Sequence, residues 1–318
     1  MRSSDCFRKD IVCAGLVTDT LGISDHGLNQ DAWLGLTRAK EAGYLDRIAY
    51  IETVDPRDGE KNILKFSNDG YDVIVTVGMG LRNETLHYAD VYPALVFIGI
   101  DQDDGEIRPN VISITFSEDQ AGFLAGALAA RLTQTGVIGA VCETSEIISM
   151  WRFCEGFRKG ALYIDKDINV LVKYRNEGSS EILFIDSEWG QTTAREMIRR
   201  GADVIFGAGG ATGQGALVAA AESRVNAIGA EKDQGRALTE ATSSIVTSLQ
   251  NGCSLQVQEL MQLVQSGKWT NANITGSIVF APYNSNIHLS NEILMEMEKL
   301  RSDLSSGAIK TDVNPSAP

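Results

Sequence analysis

Short apolar runs alternate with amphipathic stretches along this chain as in successive βα units, and that alternation is what most constrains its fold. The runs at 11–17, 48–52, 72–77 and 95–100 read as strands, with helix patterns between them at about 29–43, 58–69 and 82–92. A second series starts at 137–142 and continues through 169–174, 203–206 and 226–230, with helices at about 149–164, 190–200 and 213–223. Strands that are apolar on both faces belong to parallel sheets covered by helices. Two such series predict an α/β protein of two doubly wound parallel-sheet lobes, in keeping with 318 residues, more than one core usually takes. Extended runs at 111–116, 244–248 and 274–280 read as three crossovers, dividing the chain into 9–115 plus 247–272 and 116–246 plus 273–318. Three crossings imply a hinge, and a ligand cleft between the lobes is expected. The tail from Arg301 onward has little apolar content and is expected to be loosely held.

The formal net charge of −14 argues against nucleic acid and anionic lipid as partners, and no basic patch with interleaved aromatics offsets it. No apolar run reaches 18 residues; the longest candidate, 121–132, is broken by Gly122 and Gly126 and reads as a buried helix. Five cysteines show neither CxxC nor metal-type spacing, and their odd number rules out complete intramolecular pairing. Cys13 and Cys142 lie in strand-like runs and read as core, whereas Cys6, in a polar tail, is either a lipid-anchor site or a bystander. Residues 1–5 carry no apolar signal segment, so the chain is expected to be either cytoplasmic or a processed form.

The segment 25–33, Asp-His-Gly-Leu-Asn-Gln-Asp-Ala-Trp, closely follows the first strand. Ligands of open α/β sheets sit at the carboxyl ends of strands, so Asp25, Asn29 and Gln30 are candidate polar contacts and Leu28 and Trp33 candidate apolar ones. Asp101, Asp103 and Asp104 follow the fourth strand; without a twelve-residue calcium loop, one Asp accepting ligand hydroxyl or ring N–H bonds is the preferred reading. The glycine-rich turn 207–215, with Gly210 at its centre, lets main-chain N–H groups approach a ligand or allows tight packing. It fits neither a dinucleotide fingerprint nor a Walker loop. Trp151, Phe153, Phe184 and Trp189 stand at or near strand-to-helix junctions, where an aromatic is either core or a stacking surface for a planar ligand. His26, His87 and His288 are scattered and occur in no nucleophile or metal-binding pattern. A binding protein is therefore expected, with no catalytic set, metal or cofactor.

Several ordered motifs give a resemblance. Asp25, Gly27, Leu28, Asn29, Gln30 and Trp33 meet an Asp-x-Ser-Phe-Asn-Gln-x-x-Trp pattern with Gly and Leu in place of Ser and Phe. Phe153, Gly156, Phe157, Gly160 and Ala161 meet Phe-x-x-Gly-Phe-x-x-Gly-Ala, and Gly-Ala-Asp-Val-Ile-Phe at 201–206 precedes Thr-Gly-x-Gly at 212–215. From about residue 11 to 282 the chain resembles the basic membrane lipoprotein family of ABC-importer solute-binding proteins, typified by a purine nucleoside receptor. The resemblance implies the type I periplasmic-binding fold, an ABC permease as partner, and a periplasmic, lipid-anchored location; a monomer is expected. It implies a purine held between two aromatics, with a strand-end Asp, and with an Asp and a Lys on the ribose. Phe184 and Asp101 match the second aromatic and the strand-end Asp; Leu28, Glu231 and Gln250 replace the first aromatic, the ribose Asp and the Lys. Adding a methylene to one carboxylate and removing a cation disturbs the ribose clamp. A flat ring with a different arm suits these changes, and riboflavin, with its open ribityl chain, is the expected ligand. The alternatives are a purine nucleoside, or a cytoplasmic small-molecule sensor on the same fold.

Overall fold

The computed structural model describes residues 6–25, 27–102, 108–178, 182–276 and 278–314. The chain forms two compact units, residues 1–116 with 252–277 and residues 117–251 with 278–318.

In the first unit the strands are β1 (Cys13–Val17), β2 (Arg47–Ile51), β3 (Val73–Val77), β4 (Val96–Ile100), β5 (Val111–Phe116) and β11 (Ala272–Gly276). They form a parallel sheet in the order β11-β5-β4-β3-β1-β2. Strand β3, Val-Ile-Val-Thr-Val, shows why: β-branched side chains fit the pleat, and all five residues are buried, so both faces need helix cover. Helices α1 (Leu28–Glu41), α2 (Gly59–Asn68), α3 (Arg82–Val91) and α9 (Cys253–Gln265) provide it, with α1 packed on α9 and α2 on α3.

The second unit repeats the plan with β6 (Val137–Cys142), β7 (Asn169–Tyr174), β8 (Val204–Ala208), β9 (Asn226–Glu231), β10 (Ile245–Gln250) and β12 (Val279–Phe280). The order is β12-β10-β9-β8-β6-β7, and only β12 runs antiparallel to its neighbour among the described strands. Its helices are α4 (Glu118–Leu132), α5 (Ile148–Ile164), α6 (Ser187–Arg199), α7 (Gly210–Glu222), the short α8 (Gln234–Ala237) and α10 (Asn291–Ser305). Helices α4 and α5 lie main chain to main chain. A Cβ on Gly126 or Gly160 would collide with the Phe157 or Phe123 carbonyl of the facing helix, so the Phe-x-x-Gly-Phe-x-x-Gly-Ala block is a packing seam.

Two expectations need correction. Over its described residues, 301–314, the tail is not loose: α10 runs to Ser305, Leu304 is buried, and Thr311 Oγ1 donates to Asp119 Oδ2 at 2.5 Å. Cys6 is neither anchor site nor bystander. It is buried in a disulfide with Cys13, and a sulfur so bonded cannot carry a thioether lipid. Cys142 pairs with Cys154, leaving Cys253 as a buried free thiol.

In each sheet the connections leave in opposite directions from one central pair, β1/β3 in the first unit and β6/β8 in the second. Such switch points open a crevice outside the carboxyl ends of the strands, the usual place for a ligand in this architecture.

Candidate functional site

At the β1/β3 switch of the first unit, the loop after β1 is organised around Asn29, which is fully buried. Its Nδ2 donates to Asp19 Oδ1 at 2.7 Å and Asp25 Oδ2 at 2.9 Å, and its Oδ1 accepts from the Asp19 main-chain N–H at 3.2 Å. Asp25 accepts from the N–H groups of Gly27, Asn29 and Gln30 at 2.8, 3.0 and 3.1 Å, satisfying orphan donors in the first turn of α1. Asp25 and Asn29 thus shape the loop, and they present Leu28, half-buried, as the first residue of α1. Burial pushes the Asp19 carboxyl up from its ordinary value, against the hydrogen bonds from Asn29 and Leu21.

Asp101 follows β4 with φ at +55°, its N–H donating to Ile114 O at 2.7 Å. Beside it Gln102, buried and unnoticed in the sequence, donates from Nε2 to Thr76 Oγ1 at 3.1 Å and Gly78 O at 3.0 Å, tying the ends of β3 and β4 together. Burial, reinforced by the charges of Asp31, Asp25 and Asp101, raises the Cys253 thiol. His26, Asp103 and Asp104 lie outside the described residues.

At the β6/β8 switch of the second unit, Phe184 has φ at +64° and Glu231 φ at +70°. Glu231 ends β9 and its Oε2 accepts from the Gly210 N–H at 3.2 Å; Gln250, ending β10, is its register partner. Phe184 is half-buried against the apolar core of this unit. Its N–H donates to Glu143 Oε2 at 2.8 Å, and its carbonyl accepts from the Ala211 N–H at 2.7 Å. Glu143, fully buried, also accepts from Thr212 Oγ1 at 2.7 Å and pairs with Arg175 at 3.3 Å. Arg175, itself buried, reaches Asp186 at 3.0 Å. Burial works to lower the Arg175 pKa, but the hydrogen bonds and charges of Asp186 and Glu143 raise it overall.

Trp151 is engaged otherwise. Its ring stacks on Tyr174 with centroids 5.9 Å apart, and its indole N–H donates to Asn314 O at 3.2 Å. Phe153 stacks on Phe206 in the core, and Trp189 packs beside a second apolar cluster.

Three of the five non-glycine residues with positive φ among the described residues are Asp101, Phe184 and Glu231, each named from sequence as a ligand contact. Such conformations cost about 1–3 kcal/mol apiece and concentrate at functional sites. In the second unit Phe184 presents an aromatic face and Glu231 a carboxylate, and in the first unit Asp101 presents a carboxylate; the acids can accept from hydroxyl or N–H groups. Among the described residues no group of three His, Cys, Asp or Glu side chains is placed to hold a metal.

Comparison with known proteins agrees with this architecture. Residues 13–279 match the Bmp family, described as ABC transporter substrate-binding protein PnrA-like, and the chain belongs to that family. A CD4+ T-cell-stimulating antigen of Listeria monocytogenes is 30% identical over 237 residues, covering 71% of this chain and 64% of that protein. An ABC transporter nucleoside-binding protein, BmpA, of Lactococcus lactis is 30% identical over 206 residues, covering 64% of this chain and 56% of its own length. The chain thus spans less than two thirds of the length of either relative. A solute-binding protein of an ABC transporter system from Aeropyrum pernix superposes with a TM-score of 0.78 over 94% of this chain and 92% of its own, at 22% identity, a likeness of fold.

Proposed function

We propose that the protein is the solute-capturing component of an ABC importer and that its solute is a planar heterocycle with a hydroxylated arm, riboflavin in particular. The observation that carries this reading is the left-handed backbone of Phe184 and Glu231, both in the second unit. Phe184 supplies an aromatic face and Asp101 an acceptor for ring N–H or hydroxyl groups. Leu28 offers flat apolar contact where the resemblance implies an aromatic. Glu231 and Gln250, adjacent in register on β9 and β10, replace the acid and the cation of the ribose clamp and suit several hydroxyls on an open chain. Gly210 holds the Glu231 carboxylate, while Asp25 and Asn29 act through the loop they shape.

The partner is an ABC permease, and the protein works as an extracytoplasmic monomer. Two disulfides among the described residues support an oxidising compartment. Lipid anchoring, implied by the resemblance, takes place elsewhere than at Cys6. The Lactococcus relative's name favours a second reading, a purine nucleoside as solute.

Titrating riboflavin with the protein tests the first reading, because a stacked flavin loses fluorescence. Quenching at one-to-one stoichiometry is expected, weakened in Phe184→Ala by about 1–3 kcal/mol, roughly 5- to 150-fold, through lost stacking and burial. No quenching, together with calorimetric binding of inosine or guanosine, replaces riboflavin by the nucleoside.

A further inference from the structure

We propose that Glu143 and Arg175 are positioning residues for the Phe184 turn, and that through it they set the protein's preference among flat ligands. The inference rests on reading Phe184 as a ligand contact.

A fully buried carboxylate and guanidinium are expensive to desolvate, and an apolar pair of similar volume often packs as well or better. What the charges supply here is direction. Glu143 follows β6, where its Oε2 accepts from both the Phe184 N–H and the Thr212 hydroxyl, and its Oε1 from the Thr144 N–H and Arg175. Thr212 in turn accepts from the Asp186 N–H at 3.2 Å. Arg175 follows β7 and holds Asp186 Oδ2, while Asp186 Oδ1 accepts from the Trp189 N–H at 3.1 Å and caps α6. The Phe184 peptide is therefore gripped on its N–H side by β6 and on its carbonyl side by the first turn of α7. A bulky aromatic residue rarely occupies the left-handed region. Among the described residues, the partners of both Phe184 main-chain hydrogen bonds belong to this one network or to the adjacent α7 turn.

The test uses the full chain. Glu143→Gln keeps the volume but loses the charge and one acceptor, whereas Thr212→Val removes the hydroxyl that donates to Glu143 and accepts from the Asp186 N–H, and leaves the ion pair intact. Met297→Ala, in the core contact of α10, serves as a control that lowers stability while removing none of the turn's hydrogen bonds. Without ligand, hydrogen exchange at the Phe184 and Ala211 amides should rise about tenfold or more in Glu143→Gln, beyond any rise that lost global stability brings to Met297→Ala. Thr212→Val should show the same local pattern, smaller. With ligand, Glu143→Gln should weaken riboflavin about tenfold or more and change the riboflavin-to-inosine affinity ratio, while Met297→Ala leaves that ratio alone. Unchanged local exchange in both turn variants, or changes that follow melting temperature as the control does, overturns the proposal. Should Glu143→Gln fail to fold, Thr212→Val decides by the same criteria. A wild-type protein that binds neither ligand sinks the reading of Phe184 as a contact, and the exchange data then decide the positioning claim on their own.

Discussion

The two switch points solve the same problem by different means. At β1/β3 the loop is held by a neutral amide between two carboxylates, all from residues 19–30. At β6/β8 the corresponding turn is held by a buried guanidinium, Arg175, between two carboxylates, Glu143 and Asp186, far apart along the chain. The first arrangement can form as soon as its own segment folds. The second requires the strands to be in register, because Arg175 reaches Glu143 only when β7 lies beside β6. Local hydrogen bonding shapes the switch-point loop of the first unit, and tertiary electrostatics the turn of the second.

That contrast predicts unequal responses to mutation. The largest effect is expected for Arg175→Ala, which leaves the Glu143 carboxylate buried without its cation. The loss should be about 3–5 kcal/mol in denaturant unfolding, and a loss under 1 kcal/mol would show that the pair is not essential to this unit. Asn29→Ala should cost less, about 1–3 kcal/mol, since it removes hydrogen bonds and leaves half-buried carboxyl oxygens without their donor. If Asn29→Ala proves the more damaging of the two, the comparison fails.

The smallest effect concerns Asp19. Burial raises its pKa in the folded state, so the native protein keeps this proton after the unfolded chain has released it. The group's contribution to stability is therefore fully present below the unfolded pKa and is lost as pH rises through the folded value. Melting curves of wild type and Asp19→Asn, taken between about pH 3.5 and 7, should diverge in the variant's favour as pH rises. Parallel curves, or divergence the other way, would show that hydrogen bonds to Asp19 outweigh its burial.

The fold was legible because strand and helix periods are written locally: Val137–Cys142 and Asn169–Tyr174 run over the residues their apolar pattern indicates. The position of the Asp25 loop was legible too, but not its work, since a carboxylate after a strand looks alike whether it meets a ligand or a helix end. Glu143 carried no local signal. A charged residue closing an apolar strand reads as solvated, and the partners that bury it come from 32 to 69 residues away. Gln102 was hidden for the same reason. Helix α10 did leave a trace, a Ser290 cap followed by Met297, Leu300 and Leu304 at helical spacing, beneath a polar composition. The disulfides obey no motif, since Cys6 reaches Cys13 and Cys142 reaches Cys154 only through the folded geometry.

The bond between Cys6 and Cys13 also fixes where mechanical load enters the molecule. Cys13 begins β1, so a pull on the chain ahead of Cys6 passes through the sulfur bridge into the amino-terminal end of the sheet. The Asn29 loop begins past the other end of the same strand, five residues or roughly 16 Å away. A tether attached on that side strains the amino-terminal end of β1 and leaves the loops past its carboxyl end slack.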